Sequence, residues 1–274
     1  MTLATPTTRA VPAPPGLLGS ALILAGRVLD GWRHQLPVVL TTWLFPVFVT
    51  LIFLGLFGGA LEPPGGAGYS SFLLPGMLTV TMLFGLETTT LAAAADASRG
   101  INDRFRSFPI SSAAIVLGRC LADLASSLVG LGVMVVFGLV IGWRPDTTPA
   151  GAVLALAALL LLRFALLWVG VHIGYGAASV ESVAYVQVLV WPVALLSSVF
   201  VDPAAMPAWL GTVAELNPVS TTATTVRELL GTATWPDAVL PGTVSAVLAG
   251  AWPLVLTAVF LPLAARSFRT GRTA

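Results

Sequence analysis

The sequence predicts an all-α polytopic membrane protein with six transmembrane helices, an N-terminal interfacial helix, a short cytosolic helix between spans 2 and 3, and re-entrant helices before span 6. Three observations carry this. Of 274 residues, 57% are hydrophobic and 9% charged, with a mean hydropathy of +0.93, far from the balance of a soluble domain. Apolar runs of about 20 residues, the length that crosses a hydrocarbon core about 30 Å thick, recur along the chain. All 13 basic residues are arginines, and most fall in segments that share one side of the membrane if those runs are spans.

The elements follow in order. Residues 1–15, rich in Thr, Pro and Ala, lack the basic start and apolar core of a cleavable signal and read as a flexible cytosolic tail. In 16–35 the residues Leu18, Leu22, Leu29 and Trp32 fall near one helical face and Ser20, Arg27, Asp30 and His34 on another, which predicts an interfacial amphipathic helix. The transmembrane domain spans 36–265, with spans at about 36–58, 72–95, 111–143, 150–176, 183–201 and 239–265. Pro46 and Pro192 lie inside spans 1 and 5, and a basic tail, 266–274, closes the chain.

Under this frame Arg9, Arg27, Arg33, Arg99, Arg104, Arg106, Arg119, Arg266, Arg269 and Arg272 are cytosolic, against Arg144 and Arg227 outside. Both termini are then expected in the cytosol, in a multi-pass protein of the cell (plasma or inner) membrane. Residues 202–236 differ from the other connections. Pro203, Pro207 and Pro218 divide them, and 208–216 and 220–230 are too short to span but long enough for helices dipping into the outer leaflet.

Several function classes are excluded. A phosphate-binding P-loop needs a lysine, and the chain has none. Two histidines and one cysteine, Cys120, leave no His-Glu-x-x-His zinc pattern, no intrachain disulfide and no metal site. No Gly-x-Ser-x-Gly nucleophile turn occurs.

Two motifs are specific. Between spans 2 and 3, Ile101, Phe105 and Phe108 recur at helical spacing, flanked by Asp103, Arg104 and Arg106, with Gly100 before and Pro109 after. Asp96, Arg99-Gly100, Asp103-Arg104, Arg106-Ser107 and Pro109 together resemble the signature of permease subunits of ABC type-2 exporters, in the daunorubicin and multidrug-resistance branch. Met206-Pro207, Trp209-Leu210, Asn217-Pro218-Val219-Ser220, Arg227 and Gly231 are similar to that family's segment ahead of the last span. The Pro63-Pro64-Gly65-Gly66 loop and the Thr-rich second span depart from it.

The resemblance implies the membrane path of an ATP-driven exporter of an amphipathic drug, natural product or lipid. It implies a partner ATP-binding subunit carrying the ATP and Mg2+, no cofactor on this chain, and a second copy or a homologous permease alongside. Membrane lipids and the amphipathic substrate complete the expected partners, with no nucleic acid among them. By carry-over, Asp96, Arg99, Gly100, Asp103, Arg104, Phe105, Arg106 and Phe108 form a coupling helix against the ATPase. Trp209, Asn217, Pro218 and Arg227 belong to the outer re-entrant segment.

Glu87, Arg163 and His172 are ionisable residues placed inside spans, where an unpaired charge costs about 2.5–3.5 kcal/mol or more. Glu87 and Arg163 lie at similar depth, which suggests an ion pair, with a substrate or proton site as the alternative. His172 reads as a hydrogen-bonded packing residue. The rival function is a self-sufficient proton-coupled secondary transporter using Glu87. Gly55/Gly59, Gly138/Gly142 and Gly170/Gly174 form small-xxx-small pairs that permit close helix contact. Trp32, Trp143, Trp209 and Trp235 suit an interfacial belt.

Overall fold

The computed structural model of the chain describes residues 16–32, 34–59, 68–98, 112–177, 179–235, 238 and 240–270. The described residues form nine α-helices and no strand: α1 (Leu17–Trp32), α2 (Leu36–Phe57), α3 (Tyr69–Ser98), α4 (Ser112–Val140), α5 (Pro149–Gly176), α6 (Ala184–Leu195), α7 (Ala208–Leu216), α8 (Pro218–Leu229) and α9 (Gly242–Thr270). Five of these, α2, α3, α4, α5 and α9, are long and apolar enough to cross a bilayer.

The expected fifth span, 183–201, is not one continuous helix. A 3-10 turn at Glu181–Val183 runs into α6, which stops at Leu195, and residues 196–201 continue as irregular turns. Fifteen helical residues extend about 22 Å, short of the hydrocarbon thickness. Pro192, near the end of α6, removes a backbone donor, and the irregular stretch after it is packed inside protein rather than lipid, with Ser197, Ser198, Val199 and Phe200 all buried.

The centre of the bundle is α3, whose residues from Phe72 to Phe84 are almost continuously buried against α2, α4, α5, α6 and α8. Its threonines suit that position because a hydroxyl in an apolar interior can bond its own helix. Thr79 donates to Pro75 O (3.3 Å), Thr81 to Met77 O (2.7 Å) and Thr90 to Leu86 O (2.7 Å). Glycines on α5 bring it close to α3. A Cβ at Gly170 would meet Leu86 O at 3.1 Å, and one at Gly174 would meet Thr90 O at 2.5 Å.

Of the other two pairs only Gly138 meets a second helix, where a Cβ would stand 3.1 Å from Leu74 Cδ1 of α3. Gly55 and Gly59 face open space. Gly142, at φ +96°, closes α4 in a Schellman cap, with Trp143 N donating to Gly138 O (2.9 Å) and Gly142 N to Leu139 O (3.3 Å).

Helix α1 docks by its small residues, not by the leucine face. Ser20, Ala21 and Ala25 are buried where Gly118 of α4 lets the backbones approach, while Leu18 and Leu22 point outward. The outward leucines join apolar faces on α2 and α9, including Phe48, Leu51, Leu56, Val247 and Leu254, that suit contact with lipid chains. Arg99, Gly100, Asp103, Arg104, Arg106 and the Phe105/Phe108 stripe lie outside the described residues, as do the Pro63–Gly66 loop and the first fifteen residues.

Candidate functional site

A line of polar side chains connects the base of the 99–111 segment to the middle of the bundle. Asp96, in the last turns of α3, forms an ion pair with Arg119, in the second turn of α4, so the two helices flanking that segment are tied together. Arg119, Asp123 and Ser127 are spaced by four and share one face of α4. Thr89 of α3 donates to Asp123 Oδ2 (2.8 Å) and accepts from Arg163 Nη2 (2.7 Å). Arg163 of α5 also donates from Nε to Ser127 Oγ (2.8 Å), and its Nη2 lies 3.8 Å from Asp123 Oδ2. Two carboxylates and two guanidinium groups thus form a charge-balanced array in the half of the bundle nearest the α3–α4 connection, where lone charges are expensive.

Arg163 therefore pairs with Asp123 rather than with Glu87. Thr89 and Gly85 are four residues apart on one face of α3, and Arg163 lies along that face. Glu87 is two positions from Thr89, about 200° around the helix, and so points away from Arg163 despite its similar depth. Asp123, Thr89 and Ser127 escaped the sequence reading. The Arg-x-x-x-Asp-x-x-x-Ser spacing inside the third span is the signal for Asp123 and Ser127, and Thr89 of the second span has none of its own.

The opposite end of the bundle, at the start of α3, is organised by Arg227. It is not a loop charge: its side chain is wholly buried in α8, with Nε donating to Phe72 O, Nη1 to Ser198 O and Nη2 to Val199 O, each at 3.2 Å. Its guanidinium also sits 3.8 Å over the Phe72 ring. One planar fork thereby satisfies the unwound stretch after α6 and fastens it to the start of α3. Gly231, at φ +66°, caps α8, and its lack of a Cβ admits Asp146 O of the α4–α5 connection. Thr147 Oγ1 donates to Leu229 O (2.6 Å) at the same seam.

Asn217 and Pro218 form the bend between α7 and α8. Asn217 Oδ1 accepts from Val219 N (2.9 Å) as an N-cap, Pro218 takes the first helical position, and Asn217 Nδ2 donates to Val193 O of α6 (2.9 Å). Trp252 of α9 donates to Leu216 O (2.8 Å), and Trp209 is largely exposed on α7. His172 lies apart from both polar groups, its Nδ1 sharing a hydrogen bond with Ser267 Oγ (2.9 Å).

Helix α8 divides two cavities. On one side is an apolar cleft of about 260 Å3 between α3, α5, α6 and α9, lined by Leu86, Leu166, Leu189, Val190, Val219 and Phe260 among others. On the other is a polar cavity of about 210 Å3 lined by Ser220, Thr224, Glu215, Glu228, Thr234 and Ser245. Glu215 there accepts from Leu240 N (2.7 Å), just ahead of α9.

A bundle with five helices long and apolar enough to cross a bilayer, built around a buried charge array, defines a multi-pass membrane protein. The chain belongs to the ABC-2 type transporter family, whose model matches residues 21–230. Over 260 residues it is 32% identical to the daunorubicin resistance ABC transporter permease protein DrrB1 of Streptomyces coeruleorubidus, a match covering 94% of this chain and 89% of that protein.

Proposed function

We propose that the chain is the membrane-spanning subunit of an ATP-driven exporter that moves an amphipathic drug, natural product or lipid out of the cytoplasm or the inner leaflet. The observation that carries the substrate class is the division made by α8. An apolar cleft on one side and a polar cavity on the other suit a molecule with an apolar body and a polar end. ATP and Mg2+ bind a separate ATP-binding subunit, and a second permease, identical or homologous, completes the path. The half-length α6 and the stretch held by Arg227 complete the fifth crossing, so both termini lie in the cytosol. Nucleotide-driven closure of the ATPases presses on the 99–111 segments, and the tied ends of α3 and α4 pass that movement to the spans. Membership of the ABC-2 family supports this reading over a self-sufficient proton carrier.

The experiment is coexpression with an ATP-binding subunit, scored by copurification and by substrate-stimulated ATP hydrolysis. Phe105→Ala with Arg104→Glu should abolish the stimulation while leaving the permease folded. Unchanged stimulation in a well-folded double variant contradicts a coupling role for the segment.

A further inference from the structure

The four charges of the inner array are not equivalent. Asp123 and Arg163 lie deeper, linked through Thr89, and the bundle grips them from α3, α4 and α5 at once. Asp96 and Arg119 lie at the bundle's inner edge, with side chains 31% and 13% exposed, and their ion pair spans the two ends of the 99–111 segment. Arg119 also stands one helical turn from Asp123 on the same face of α4, within its electrostatic reach. Its Nε is buried without a hydrogen-bond partner, so the guanidinium is held by the Asp96 carboxylate and not by a full set of neutral acceptors.

The floor beneath α4 is firm. Gly118, beside Arg119, takes α1 so closely that a Cβ there would stand 2.8 Å from Ala21 O, which leaves α4 little room to tilt independently of α1. On the other side, Tyr175 of α5 lies within electrostatic reach of both Arg119 and Asp96. A displacement of the 99–111 segment therefore meets a braced pair of helix ends, and the next charged group inward along the line is Asp123.

From this placement we infer that Arg119 is a positioning residue for transport: through Asp96 it makes the ends of α3 and α4 move as one body, and through Asp123 it hands that movement to Arg163 at the centre of the bundle. The inference rests on the reading of the chain as an ATP-driven permease. It assigns to Arg119 a role separate from holding the ATPase, because Arg119 lies inside the bundle and not on the 99–111 segment. Loss of Arg119 should leave docking of the ATPase intact and break the link between hydrolysis and movement.

The test uses the complete complex of this chain with its ATP-binding subunit in lipid vesicles. The readouts are copurification, basal ATP hydrolysis and dye exported per ATP hydrolysed. Arg119→Met should keep copurification and hydrolysis within twofold of wild type while export per ATP falls at least tenfold. Arg119→Lys, which keeps the charge at a site with two carboxylates nearby, should retain at least a third of export and guards against a simple folding defect. The exchange Asp96→Arg with Arg119→Asp restores the tie between the helix ends but sets two carboxylates one turn apart on α4, so export per ATP should stay as low as in Arg119→Met; full recovery would show that the link to Asp123 carries nothing.

Wild-type export per ATP in a monodisperse Arg119→Met complex overturns the inference and leaves the permease reading standing. The inference also falls if Arg119→Lys is as defective as Arg119→Met while still folded, because the role then does not depend on the charge. A wild-type chain that binds no ATP-binding subunit and moves nothing on addition of ATP overturns the permease reading itself.

Discussion

Arg163 lies directly across Gly85: a Cβ at Gly85 would stand 2.6 Å from Arg163 Nε and 2.7 Å from its Cζ. Nine residues earlier, Gly76 makes the same accommodation for Arg227, whose Nη2 would be 3.0 Å from a Cβ there. Helix α3 thus receives the two fully buried arginines in two glycine notches, about 13 Å apart along its axis. Gly85→Ala should destabilise the protein, because overpacking costs about 1–3 kcal/mol and exceeds the roughly 0.5–1 kcal/mol of backbone preference regained. Thermal unfolding in detergent checks this, and a raised melting temperature contradicts it.

Asp123 is the carboxylate that pairs with Arg163, so its removal strands a buried cation. Asp123→Ala alone should cost about 3–5 kcal/mol, and Asp123→Ala with Arg163→Met should recover a large part. Glu87→Gln, on the far face of α3, should leave the melting temperature close to wild type. Coupling between positions 87 and 163 in a double-mutant cycle, with none between 123 and 163, would reverse the assignment.

Arg227 holds three carbonyls with one planar fork, an arrangement a lysine cannot reproduce. Arg227→Lys should therefore lose about 1–3 kcal/mol by leaving buried acceptors unmet, and Arg227→Met more. Both should expose the stretch after α6 to added protease from the outer side. Unchanged protection in Arg227→Met would show that the stretch is held by other contacts.

Orientation is open to a separate check. On a Cys120→Ser background, cysteines introduced at Gly66 or Thr234 should react with an impermeant label from outside, and those at Ser107 or Thr270 after permeabilisation alone. Labelling of Ser107 from outside in intact cells would invert the topology.

Most of the helical layout was legible in the sequence because apolar length reports directly on the thickness of the bilayer. Leu36–Phe57, Pro149–Gly176 and Gly242–Thr270 start and stop within a few residues of the expected spans. The break in the expected fifth span was not legible because residues 196–201 are as apolar as a helix, and the side chain that bonds their freed carbonyls, Arg227, lies some thirty residues downstream. The partner of Arg163 was missed for a similar reason. Depth along two spans can be read from sequence, but the face each residue presents depends on how three helices rotate against one another, and the Gly85 notch sets that rotation here. In α1 the outward Leu18 and Leu22 agree with an interfacial face, whereas the docking of Ser20, Ala21 and Ala25 against α4 was not legible, because small residues carry no periodic apolar signal.

Under the proposed function, movement across the membrane by this chain requires ATP hydrolysis on another chain. The most direct measurement reconstitutes the permease in sealed vesicles with and without its ATP-binding subunit and follows a fluorescent amphipathic compound. The account predicts ATP-dependent movement when both chains are present and none from the permease alone, with or without an imposed proton gradient. Transport by the permease alone, driven by a proton gradient and abolished by Glu87→Gln, would contradict it.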